Sequence, residues 1–84
     1  MPEAFSDNAA QSRFELDVEG RTVFANYRRM GDQLAILHVE SPPVLRGTGA
    51  AGRLMQHIVD TAQAENRAIA PYCGYAASWL RRRR

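Results

Sequence analysis

Apolar and polar residues alternate from Arg13 to Val18, with Phe14, Leu16 and Val18 on one side and Arg13, Glu15 and Asp17 on the other. That period of two predicts a strand with one buried face. Glu19-Gly20 marks a turn, after which Val23, Ala25 and Tyr27 alternate with Thr22, Phe24 and Asn26, so a second strand runs to Met30 and turns at Gly31-Asp32. The third strand, Gln33 to Glu40, carries Leu34, Ala35, Ile36, Leu37 and Val39, and so continuous an apolar run predicts cover on both faces. Ser41-Pro42-Pro43 stops it, because proline donates no hydrogen bond and pushes its predecessor out of the helical region.

From Gly49 the spacing changes. Ala51, Leu54, Met55, Ile58, Val59 and Ala62 fall on one stripe at helical period, with Arg53, Gln56, His57, Asp60 and Gln63 between them. Arg67 to Tyr72 reads as a short strand, and Gly74 to Arg84 has helix formers with Ala77, Trp79 and Leu80 available for packing. Residues 1–11 show no periodicity and read as a flexible leader, leaving 12–84 as one domain. A strand, turn, helix and strand in succession form a right-handed parallel crossover. The expected fold is therefore α/β of the α+β kind: a small mixed sheet in the order β-β-β-α-β-α, with one parallel pair.

Composition narrows the picture. Eighty-four residues hold a single core, and 45% apolar with 24% charged residues is a globular balance. A domain of this size buries only about 60 to 70% of its unfolded surface, so a bound ligand or a second copy in a homodimer would help it. The lone Cys73 excludes an intramolecular disulfide and any two-thiolate zinc site, and His38 and His57 fall on different elements, so no metal is expected. No apolar run approaches the roughly 18 residues of a membrane span, and MPEAFSDNAAQ lacks a signal-peptide profile; the expectation is a soluble, cytoplasmic protein with no membrane partner. Arg81 to Arg84 account for four of the eleven basic residues, leaving seven against nine acidic ones, so the body is mildly acidic. The arginines read as a solvated helix end that complements the helix dipole, and nucleic acid is not an expected partner.

Chemistry concentrates at Arg46-Gly47-Thr48-Gly49-Ala50-Ala51-Gly52, between a strand end and a helix start. Glycines permit positive φ and close backbone approach, and the first turn of a helix offers unpaired N–H donors and partial positive charge, so a phosphate or pyrophosphate is the expected ligand. Arg46 adds a fork of charged donors. Two patterns fit the segment. Gly47, Gly49 and Gly52 satisfy the dinucleotide spacing G-x-G-x-x-G, but three antiparallel strands precede the loop and Glu65 comes too early to hold a ribose at the next strand tip. Arg46, Gly49 and Ala51 satisfy R/Q-x-x-G-x-G/A.

With His38-Val39-Glu40-Ser41-Pro42-Pro43 before this loop, the amphipathic helix after it, and then Pro71-Tyr72-Cys73 and Ala76-Ala77, the ordered set resembles the GNAT superfamily of N-acetyltransferases over roughly residues 13 to 83. Within that superfamily it is similar to the short YjdJ-type branch. The resemblance implies a minimal GNAT-like fold whose parallel strands splay to admit coenzyme A. It also implies acetyl-CoA as cofactor, with Val39 and Ser41 pairing with the pantetheine amides and the N–H groups of Gly47, Thr48, Gly49, Ala50, Ala51 and Gly52 holding the pyrophosphate. The activity implied is acetyl transfer to an amine of an unidentified small molecule or protein; the alternative is an acyl-CoA-binding or regulatory module without efficient turnover.

Three residues are candidates for the chemistry. Cys73, between a strand and a helix start, could accept or assist the acetyl group. Glu40, at the end of the third strand, could take a proton from an amine. Tyr75 could protonate the departing thiolate. His38 and His57 read as surface or otherwise satisfied histidines.

Overall fold

Short turns of positive φ set the sheet. Glu19 and Gly20 have φ of 53° and 83°, the conformation of a two-residue hairpin loop, and Gly31 has φ of 58° at the next reversal. They join β2 (Arg13–Val18) to β3 (Arg21–Met30) and β3 to β4 (Gln33–Glu40), all antiparallel. Helix α1 (Ala50–Ala64) then crosses back so that β5 (Ala68–Pro71) lies parallel to β4, and α2 (Gly74–Arg82) closes the chain. The computed structural model describes residues 3–83; Met1 and Pro2 of the expected leader and Arg84 of the arginine tail lie outside the described residues.

The expected flexible leader is largely a strand. Residues Glu3–Asn8 form β1, antiparallel to β2 from Glu3 opposite Val18 to Asn8 opposite Arg13, and a short 3₁₀ turn at Ala9–Gln11 links the two. The order is thus β-β-β-β-α-β-α, in one sheet β1-β2-β3-β4-β5. Only Phe5 gives β1 a large apolar side chain, which hides the alternation in the sequence. Its ring stacks on Phe14 at 5.7 Å and on His57 of α1 at 4.7 Å, while ladder bonds to β2 hold the rest.

The expectation of cover along all of β4 holds only for its first half. Leu34, Ala35 and Ile36 are buried, whereas Leu37 is 44% exposed and His38 and Glu40 are exposed. The cause is a bulge. Ile36 pairs with Tyr27 but His38 pairs with Asn26, so Leu37 is an extra residue with no partner on β3. Val39, opposite Ala25, thereby returns to the same face as Ile36, opposite Tyr27. Pairing with β5 ends at Ile36 opposite Pro71. From Leu37 to Glu40, β4 has a neighbouring strand on one side only, and a gap opens between the ends of the parallel pair.

Helix α1 buries Leu54, Met55, Ile58 and Ala62 against Phe14, Leu16, Val23, Ala25 and Tyr27. Each such large side chain contributes about 1.5–3 kcal/mol. Ala76 anchors α2 in the same core, with Trp79 and Leu80 packed on its margin and Arg81 and Arg82 in its last turn, where cations suit the helix dipole. Among the described residues, no helix is long and apolar enough to cross a membrane.

Candidate functional site

Beyond the bulge, a cleft of about 360 Å³ lies between the end of β4 and the start of α1. Val39, Glu40 and Ser41 form one wall; Arg46, Gly47, Gly49, Ala50, Ala51 and Gly52 form the other. Leu45, which the sequence reading did not single out, lines the floor and is itself almost buried, and Tyr75 of α2 closes one side.

The loop wall is shaped by two glycines. Gly47 and Gly49 have φ of 82° and 85°, in the left-handed region where an L side chain is strained, and Gly49 caps α1 without any side-chain hydrogen bond. A Cβ at Gly49 would also stand 3.2 Å from Nη1 of Arg53. The result is a row of donors. Among the described residues, the N–H groups of Gly47, Gly49, Ala51 and Gly52 make no hydrogen bond, whereas that of Ala50 donates to Thr48 Oγ1 at 3.3 Å.

Charge agrees with an anionic ligand. No acid occurs between Glu40 and Asp60, the first turn of α1 carries none, and Arg46 and Arg53 flank the loop. Arg46 Nε donates to the Ser41 carbonyl at 3.4 Å across the mouth of the cleft. Arg53, one turn after Gly49, was not recognised in the sequence as part of the site. Its Nη1 donates to the Thr48 carbonyl at 3.0 Å and its Nη2 pairs with Glu3 Oε2 at 2.6 Å, so β1 braces the loop from behind. That hydrogen bond from Arg53 holds the Glu3 carboxyl below its ordinary value.

Two expected site residues stand elsewhere. Thr48 does not line this cleft, because its hydroxyl is committed within the loop, donating to the Leu45 carbonyl at 2.6 Å while accepting from Ala50; it borders a second hollow on the far side. Cys73 does not line it either. Strand β5 ends at Pro71, so Cys73 becomes the N-cap of α2, half-buried against the core, and Tyr75 in the first turn is the residue that reaches the cleft. Burial pushes the Tyr75 phenol up despite the pull of Arg82.

The sequence comparison then supplies the family: the model described as GCN5-related N-acetyl-transferase matches residues 13–84. The chain belongs to that family. As a GCN5-related N-acetyltransferase domain it has the five-stranded mixed sheet and two helices described above. No curated protein matches it. The family's usual cosubstrate is acetyl-CoA, and the donor row, the positive loop and the gap beside β4 are chemically suited to a diphosphate joined to an extended amide chain.

Proposed function

We propose that this GCN5-related domain is an acetyl-CoA-dependent N-acetyltransferase acting on a primary amine of a small molecule or protein. One observation carries the reading: four backbone N–H groups, at Gly47, Gly49, Ala51 and Gly52, stay unpaired beside a cleft that nothing acidic enters from the loop. Those of Ala51 and Gly52 are half-buried and those of Gly47 and Gly49 are open to solvent, and a diphosphate at the helix start would satisfy all four together.

The residues divide the work as follows. Arg46 and the unpaired amides of Gly47, Gly49, Ala51 and Gly52 grip the diphosphate. Main-chain groups of Val39 and Ser41, on the unpaired side of β4, bind the pantetheine amides as an added strand would. An amide at Val39 steadies the thioester oxygen as it gains charge. Glu40 accepts the proton of the attacking amine; the C–N bond forms, the C–S bond breaks, and Tyr75 returns a proton to the departing thiolate.

Calorimetric titration tests binding. Acetyl-CoA and coenzyme A bind with similar affinity and NAD gives no signal; equal heat from NAD, or none from coenzyme A, refutes the reading. Turnover is a separate question. Coenzyme A release in the presence of Nα-acetyl-lysinamide or spermidine supports a transferase, whereas tight binding without release supports the alternative of a binding or regulatory module.

A further inference from the structure

We infer that His38 is a positioning residue that holds Glu40 in the orientation needed to take the amine proton. The inference rests on the transferase reading and adds to it a residue outside the lining of the cleft. Glu40 is the only carboxylate among the residues that line the cleft. His38 Nε2 lies 2.8 Å from Glu40 Oε1, two residues away on the same face of β4, so the ring N–H takes one carboxylate oxygen. Oε2 has no hydrogen-bond partner among the described residues.

The contact differs from those of the other glutamates that make side-chain bonds. Glu3, Glu15 and Glu65 are each held by an arginine, and each is drawn below its ordinary pKa chiefly by hydrogen bonds to its partners. An arginine fork can cover both carboxylate oxygens, as Arg29 does at Glu65. An imidazole, by contrast, fixes the carboxylate with one hydrogen bond and leaves the second oxygen open. The residues paired opposite on β3 are Asn26 and Phe24, neither of which titrates. The bulge at Leu37 matters too: it puts Val39 on the core face and leaves His38 and Glu40 together on the open face beside the cleft mouth.

The test is a double-mutant cycle on the full chain, read as kcat and KM for acetyl-CoA with Nα-acetyl-lysinamide and spermidine as probe amines. Glu40→Gln lowers kcat by about 100-fold or more, the scale of a general base. His38→Ala lowers kcat by about tenfold, as loss of an orienting partner does, and leaves the KM for acetyl-CoA within twofold. His38→Gln, whose amide N–H can reach the same oxygen, recovers most of the rate. In the Glu40→Gln background, His38→Ala has no further effect. The inference is overturned if His38→Ala is as fast as wild type, if His38→Gln is no faster than His38→Ala, or if the losses multiply in the double variant. A wild-type chain that transfers acetyl to neither probe brings down the transferase reading and this one with it, whereas an active wild type with an equally active His38→Ala brings down this one alone.

Discussion

The two ends of α1 are built on opposite plans. At its C-terminal end, Arg29 of β3 donates to both oxygens of Glu65, at 2.9 and 2.7 Å, to Tyr27 Oη at 3.1 Å and to Asp7 of β1 at 3.0 Å. Tyr27 donates to Asp7, and Arg67 adds bonds to Glu65 and to the Gly31 carbonyl. Strands β1 and β3, the turn after β3 and the segment after α1 are thus tied together. At the N-terminal end, some 22 Å away for a 15-residue helix, donors are left open and the cap is a glycine. One end spends its polar groups on the fold, and the other keeps them for a ligand. Substitutions at the two ends should therefore separate stability from binding.

The largest separation is expected at Gly49. Valine there must adopt a φ near 85° that a β-branched residue avoids, and its Cβ would press on Arg53 Nη1. Gly49→Val is expected to weaken coenzyme A about 100-fold in calorimetry, roughly 2.7 kcal/mol. Unchanged affinity would mean that the loop amides do not hold the ligand. The opposite pattern is expected of Arg29→Leu, which leaves Asp7 and Glu65 without their guanidinium: a loss of about 2 kcal/mol in denaturant unfolding, with coenzyme A affinity unaltered.

Acid should probe the same end. The hydrogen bonds from Arg29, with its charge, depress Glu65 from 4.5 to about 2. A depressed carboxylate stabilises the fold above its unfolded pKa, and that contribution is lost as pH falls from about 4.5 toward 2. Melting temperature should drop across that window, and Glu65→Gln should flatten the drop; an identical profile in the variant would remove Glu65 as its source.

How much of this was legible depends on where the information sits. Strands β2 and β3 and helix α1 announce themselves because their apolar residues repeat at period 2 or 3.6, β4 because its apolar residues run on unbroken, and the glycines of the loop are visible as residue types. Strand β1 was not legible, since its sequence EAFSDN contributes one large apolar residue and its place depends on pairing with β2 and on Glu3 and Asp7 finding arginines on α1 and β3. The bulge was equally hidden. Leu37 continues an apolar run, and only the register with β3 shows that it is unpaired. Of the site, the cleft walls could be read from Val39 to Gly52, but the brace from Arg53 arises from a contact with Glu3 fifty residues away, the hydroxyl of Thr48 is spent on bonds inside its own loop, and Cys73 is displaced because β5 ends at Pro71.

Thr48 sharpens the comparison on a smaller scale, because it lies in the ligand loop yet behaves like a residue of the other end. Thr48→Ala removes the hydroxyl that joins the Leu45 carbonyl to the Ala50 N–H, and is expected to cost about 1 kcal/mol of stability while weakening coenzyme A less than threefold. Thr48→Ser, which keeps the hydroxyl, should match wild type in both. A tenfold loss of affinity in the alanine variant with stability intact would place the hydroxyl on the ligand instead.

The smallest effect is expected at Gly52, where two terms oppose each other. Alanine is favoured over glycine inside a helix by about 1 kcal/mol, and Gly52 lies in the first turn of α1 with an ordinary helical φ. Its Cβ, however, would meet Trp79 Nε1 at 3.2 Å and Tyr75 Oη at 3.9 Å, so the indole must give by a few tenths of an ångström. Gly52→Ala should therefore change stability by less than about 1 kcal/mol in either direction. It should shift the emission of Trp79, the only tryptophan in the chain, and leave coenzyme A affinity within threefold, since the backbone N–H remains. Unshifted emission would mean that α2 does not seat Trp79 over this glycine. A loss of binding as large as that at Gly49 would mean that the missing side chain makes room for the ligand and not for the indole. The third glycine of the G-x-G-x-x-G spacing thus serves helix packing in this chain, and only the first two bend the loop.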